Sequence, residues 1–302
     1  MMETHAPTIS DILGSDAVPV RLRETAALLA DQMLEHHWHV DRMGWKTLPP
    51  FPIPPTADPR RSRRLVRFYK SVVAVQTRAE EIAVSIARRL LIAAEQQQLD
   101  VVVRRAISAV LNDEASHVAT MLKLESVAEE TFPDVQRRPG ESPLFAVLMP
   151  AIETLEPTVA ATFMASYETS VAIRSYAEEQ TYKVPSILGA MAPRAAEDDG
   201  RHAKTLRVVA RIFLERFREE HGGDERGTSS VWRTKILEPF SRYWSLMPAH
   251  EYFLAGEDPR QLRNVRRQIR HDVEIMRGIL NYVGFSPEAQ AYADVEGILK
   301  TL

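Results

Sequence analysis

The chain has 302 residues, 45% hydrophobic and 26% charged, with 38 basic residues against 41 acidic ones. That balance suits a folded protein with a sizeable core, and it leaves no electrostatic footprint for nucleic acid or an anionic membrane surface. With no cysteine, disulfides, thiolate-ligated clusters and a thiol nucleophile are excluded, so any metal must be held by oxygen and nitrogen, which suits iron or manganese.

Residues 1–20 are acidic and broken by Pro and Gly, without the basic and apolar regions of a secretory signal. No apolar run reaches the length that spans a bilayer, so a cytoplasmic location is expected. Apolar residues recur at spacings of three and four through most of the chain, and alternating β-branched runs are scarce, which predicts an all-α fold. Helices are expected near 19–37, 60–96, 99–131, 145–182, 185–220, 229–246, 258–282 and 287–300. The six prolines between Thr47 and Pro59 predict an extended connection, and 133–143 and 221–227 read as two more. The basic cluster Arg60, Arg61, Arg63 and Arg64 reads as a solvated or subunit-facing surface. A single domain is expected, with an N-terminal helix and Pro-rich arm (1–59), a bundle (60–220) and C-terminal helices (221–302). Inside the bundle, 60–131 and 145–220 read as one helical hairpin used twice.

Of nine histidines, only His117 and His202 have an acid three positions earlier, Glu114 and Asp199, and each has a second acid one position before that, Asp113 and Asp198. Positions i and i+3 share a helix face, so each acid and histidine can reach one ion together. Their flanks are apolar: Ile107, Val110 and Met121 around the first pair, Ala192, Leu206 and Val209 around the second. Charge on an apolar stripe is costly unless it is paired or metal-bound. A dinuclear carboxylate site in a four-helix bundle needs one further acid from each remaining helix, as in ferritin-like proteins. Glu168 qualifies, flanked by Ala161, Met164, Ala165, Val171 and Ala172, whereas Glu178, between Arg174 and Tyr182, reads as solvated. On the first helix Glu80 shares its face with Val73, Ala83, Val84, Ala87 and Leu91, but Glu81 with Thr77, Arg78, Ser85 and Arg88, so Glu80 is preferred. Asp113 and Asp198 are then placed to accept the free ring N–H of the ligand histidines, plausibly across the bundle.

Other features carry less. His36, His37 and His39 close a helical pattern where imidazole suits the C-terminal dipole. His271 with Glu274 reads as an exposed pair, and Tyr167 and Tyr176 as packing residues. Gly222-Gly223 is a turn, because no strand precedes it.

The runs AISAVLNDEASHVATMLKLE (106–125), YETSVAIRSY (167–176) and EDDGRHAKTL (197–206) resemble the ligand helices of the diiron N-oxygenases related to p-aminobenzoate N-oxygenase. The resemblance covers roughly residues 65 to 220 and implies iron ligands at Glu80, Glu114, His117, Glu168, Asp199 and His202. It also implies a ferritin-like fold, two iron ions with dioxygen as co-substrate, an external electron donor, an amine substrate taken to hydroxylamine, nitroso or nitro, and a homodimer. Two positions depart from the family: Asp199 replaces a Glu, and Ala195 replaces an additional histidine ligand. The expectation is therefore a ferritin-like diiron monooxygenase with extra N- and C-terminal helices. A diiron C–H hydroxylase or desaturase, and a ferritin-like ferroxidase, are the alternatives.

Overall fold

A computed structural model describes residues 28–31, 45–55, 58–179, 184–256, 259–286 and 289–300, and its described residues are helical without a strand. Four long helices dominate: α1 (Pro59–Gln96), α2 (Val101–Thr131), α4 (Pro157–Glu179) and α5 (Ile187–His221), with a short α3 (Pro143–Leu148) before α4. The expected N-terminal helix, with its histidines at 36, 37 and 39, lies almost wholly outside the described residues.

Local chemistry sets the ends of these helices. Asp58 accepts the Arg60 N–H at 2.9 Å ahead of α1, Asp100 accepts the Val102 N–H at 3.0 Å ahead of α2, and Ser186 accepts the Gly189 N–H at 3.0 Å ahead of α5. Each satisfies a first-turn donor that the helix itself cannot. The turn between α1 and α2 bends through Gln98 at a φ of +51°, and α5 stops at Gly222, φ +72°. The single helix expected over 145–182 is instead α3, a 3₁₀ stretch (Met149–Thr154) and α4. Pro150 and Pro157 lack the N–H an uninterrupted helix would need, and each sits in the first turn of a new segment.

Consecutive long helices pair: α1 packs on α2, joined by a short turn, and α4 packs on α5. They pack together through α2 on α5 and α1 on α4, so the four helices contact one another in a closed ring. After α5 come α6 (Ser230–Trp232), a π turn (Arg233–Leu237), α7 (Glu238–Trp244), α8 (Met247–Ala255), α9 (Pro259–Val283) and α10 (Gln290–Leu299). Helix α8 lies in a stretch where no element was expected. One apolar cluster joins Leu90, Ile107, Phe163 and Phe213 of the ring to Trp232, Phe240, Ile279 and Val295 of the C-terminal helices, so all share a core. A second cluster closes the opposite end with Val73, Met121, Leu124 and Met191.

The Pro-rich segment does more than connect. The Pro49 and Pro50 carbonyls accept the Ile187 and Leu188 N–H groups at 2.9 and 3.2 Å, giving acceptors to the exposed donors of α5. Phe51 stacks on Tyr69 and Phe132 with centroids 5.5 and 6.1 Å apart. No helix among the described residues is long and apolar enough to cross a membrane.

Candidate metal centre

Between the two apolar clusters lies a polar layer to which each of the four long helices contributes. α1 brings Glu80, α2 Asp113, Glu114 and His117, α4 Glu168, and α5 Asp198, Asp199 and His202. Glu114 and His202 are fully buried, and His117, Glu168 and Asp199 are at most 5% exposed. Glu80 lies at the edge, with 18% of its side chain exposed. Ligand atoms of Glu114, His117 and His202 lie within 4.8 Å of one another, as do those of Glu168, Asp199 and His202. Glu80 joins through its Oε2, 3.4 Å from His117 Nδ1. Glu81 instead pairs with Arg78 at 2.7 Å on the outer face, as helical phase requires.

Glu114 is central. Its Oε2 is 3.5 Å from His117 Nδ1 and its Oε1 is 2.7 Å from His202 Nδ1, so one carboxylate presents an oxygen to each imidazole. Among the described residues neither oxygen of Glu114, nor Nδ1 of His202, makes a hydrogen bond despite that approach. Buried polar atoms that converge without a hydrogen bond are expensive, and a cation bound among them in place of protons would remove that cost.

The outward nitrogens complete a reciprocal arrangement. His117 Nε2 on α2 lies 3.5 Å from Asp198 on α5, and His202 Nε2 on α5 lies 3.3 Å from Asp113 on α2. Of the two, His202 Nε2 makes a hydrogen bond with Asp113, which turns its Nδ1 toward the cluster, whereas His117 Nε2 faces Asp198 without one among the described residues. Arg201 contacts Asp198 and fixes its position in turn.

In the metal-free chain this concentration of acids retains protons. Burial, reinforced by neighbouring carboxylates, drives Glu168 and Asp199 well above the usual range and Glu80 up to about 7. Burial opposes charge on Glu114 too, but His202 and His117 outweigh it and hold this carboxylate below its ordinary range. Burial would lower both imidazoles, yet Glu114 and Glu80 raise His117 well above normal, and Glu114 and Asp113 raise His202 to about 10. A cation entering here would displace those protons. The donor set, four carboxylates and two imidazoles on rigid helices, fits one or two divalent ions of the oxygen- and nitrogen-loving kind.

A cavity of about 190 Å³ opens beside the layer, lined by Glu80, Glu168, Ala195 and Asp199. It runs along the bundle past Phe68, Val72, Met121 and Val171 to Arg174, and helices α8 and α9 close one side with Glu251, Leu254, Val265 and Gln268. Tyr167 also lines it while packing edge-on to Phe145 and His250, so it is both a core residue and part of the wall. Arg174, which in the sequence only marks the flank of a solvated Glu178, lines the cavity with its Nη2 2.6 Å from Glu251 Oε1 of α8. The side chains of Tyr176 and Glu178 lie outside the described residues. Comparison of the chain with protein-family models, with curated proteins and with solved structures found no match.

Proposed function

We propose that the protein is a ferritin-like diiron monooxygenase that uses dioxygen to oxidise a small amine at nitrogen. The observation that carries this reading is the reciprocal crossing of Asp113 and Asp198 onto His202 and His117, with Glu114 between the imidazoles. Each histidine faces an acid of the other's helix on one side and a shared carboxylate on the other, which supports a two-ion site over a pair of isolated salt bridges.

In this reading Glu80, Glu114 and His117 would hold one ion and Glu168, Asp199 and His202 the other, and a ferrous pair bound there would supply electrons for the reduction of dioxygen. One oxygen atom enters an N–O bond on the amine and the other leaves as water, with two electrons and two protons from an external donor. The chain's own part is to orient the donors, to hold the substrate nitrogen against Glu80, Glu168 and Asp199, and to exclude water with apolar walls. α8 and α9 build one wall of a substrate-sized space, which iron storage would not require.

Ala195 supports a second reading. With a methyl group on the cavity wall where the enzymes this chain resembles carry a histidine, that side of the layer would offer one donor fewer, which suits a C–H hydroxylase or desaturase. Anaerobic ferrous reconstitution followed by metal analysis should give about two irons per chain. Exposure to oxygen with candidate aryl and alkyl amines then separates the readings. Oxygenated nitrogen products support the first, exclusive C–H oxidation selects the second, and mineralisation of many irons without organic turnover overturns both.

A further inference from the structure

Beyond the metal-facing end, the cavity has a polar far wall whose chemistry is unbalanced. Arg174 of α4, one charge, stands against two acids: its Nη2 lies 2.6 Å from Glu251 Oε1 and 3.4 Å from Asp272 Oδ2. Asp272 is well provided for, since it also accepts Ser170 Oγ at 2.7 Å and Gln268 Nε2 at 3.0 Å. Glu251 is not. Only 5% of its side chain is exposed and it lines the cavity, yet its Oε2 accepts no hydrogen bond among the described residues. Gln268, having given its N–H to Asp272, keeps its carbonyl oxygen as an acceptor in the same wall. Burial holds Glu251 up, to about 7, even against Arg174. A carboxylate there gains from a second cation.

Among the described residues Arg174 Nε is a buried donor without an acceptor here and Glu251 Oε2 an acceptor without a donor, but two acids against one arginine tip the charge balance toward a cationic donor. Six residues separate Glu168 from Arg174 along α4, or about 9 Å at roughly 1.5 Å per residue, and between them the walls are Phe68, Val72, Val171, Leu254 and Val265. At about 190 Å³ the space is smaller than the roughly 300–1,000 Å³ of most ligand pockets, so its guest is compact. We propose that Glu251 receives a protonated amine or similar cationic N–H donor, so that the substrate is a small cation with an apolar body, bound by its charged end at Glu251 while its other end reaches the metal layer. This assignment rests on the proposed oxygenase reading for what happens at the metal end, but the recognition itself is a matter of binding.

Three compounds of one shape separate the possibilities: para-(aminomethyl)aniline, with an ammonium arm; para-toluidine, with a methyl; and para-aminobenzoate, with a carboxylate. Each is titrated calorimetrically into the full chain loaded with ferrous iron under argon. The ammonium compound is expected to bind at least about tenfold more tightly than para-toluidine, and the carboxylate least of all. Glu251→Gln keeps the shape and the bond from Arg174, and should erase the ammonium advantage while iron content and para-toluidine affinity stay unchanged. Tightest binding by the carboxylate, equal binding by all three, or an ammonium advantage that survives in Glu251→Gln overturns the proposal. Iron content and oxygen uptake are read separately. Ammonium preference without amine oxidation sinks the oxygenase reading alone, and amine oxidation without ammonium preference sinks this one alone.

Discussion

Glu114 faces both imidazoles with no hydrogen bond to either oxygen, so its removal should be felt on both sides of the layer at once. Glu114→Gln is expected to lower iron content from about two per chain to below one, as measured by metal analysis after reconstitution. Asp113→Asn and Asp198→Asn leave every proposed ligand in place yet should each weaken metal binding roughly 10–100-fold in a chelator competition. The two losses should be similar, because each Asp serves the other helix's histidine. At this scale the site was legible where the signal is local: acid and histidine at i and i+3, and the apolar neighbours that favoured Glu80 over Glu81. The far wall was not. Arg174 reads as a solvated charge on α4 until Glu251 and Asp272 arrive from α8 and α9, and no local pattern announces partners so distant in sequence.

The four long helices follow from 3.6-residue periodicity, but their interruptions follow from proline. Pro150 and Pro157 split an otherwise periodic stretch, and the apolar pattern running through both hides the break. Proline also hides an attachment. The 47–59 arm reads as extended because its residues cannot be helical, whereas its docking on the start of α5 depends on backbone carbonyls that no side-chain pattern encodes. Within α5, Pro193 lies inside the helix and forgoes the bond to the carbonyl one turn back. Pro193→Ala should raise the thermal midpoint, with about 3 kcal/mol as the upper bound. Leu90, fully buried in α1 among residues of the larger cluster, should behave oppositely. Leu90→Ala is expected to cost about 2–5 kcal/mol in chemical denaturation, with metal content per folded chain unchanged.

For the whole molecule, the protons held by the polar layer connect stability to pH. His202 is raised from 6.5 to about 10 and Glu80 from 4.5 to about 7, while Glu168, Asp199 and His117 are raised as well. Groups that bind protons more tightly when folded stabilise the chain below their unfolded pKa and lose that contribution as pH climbs through the folded one. Glu114 has the opposite sign: it contributes above its unfolded pKa and loses that contribution on acidification. The metal-free protein should therefore lose stability as pH rises from about 5 toward 10. A divalent ion replaces the retained protons, so the gap in melting temperature between loaded and chelated protein should widen between about pH 5.5 and 8.5. A gap that narrows would show that the layer does not take the ion. The exchange of Asp113 and Asp198 between α2 and α5 has a consequence for filling. If two ions bind as proposed, the first would order Glu114 and its histidine, and because that histidine faces an acid of the opposite helix, the partner position would be shaped in the same event. Half-filled molecules should be scarce, and a titration should run from empty to full with a Hill coefficient above one.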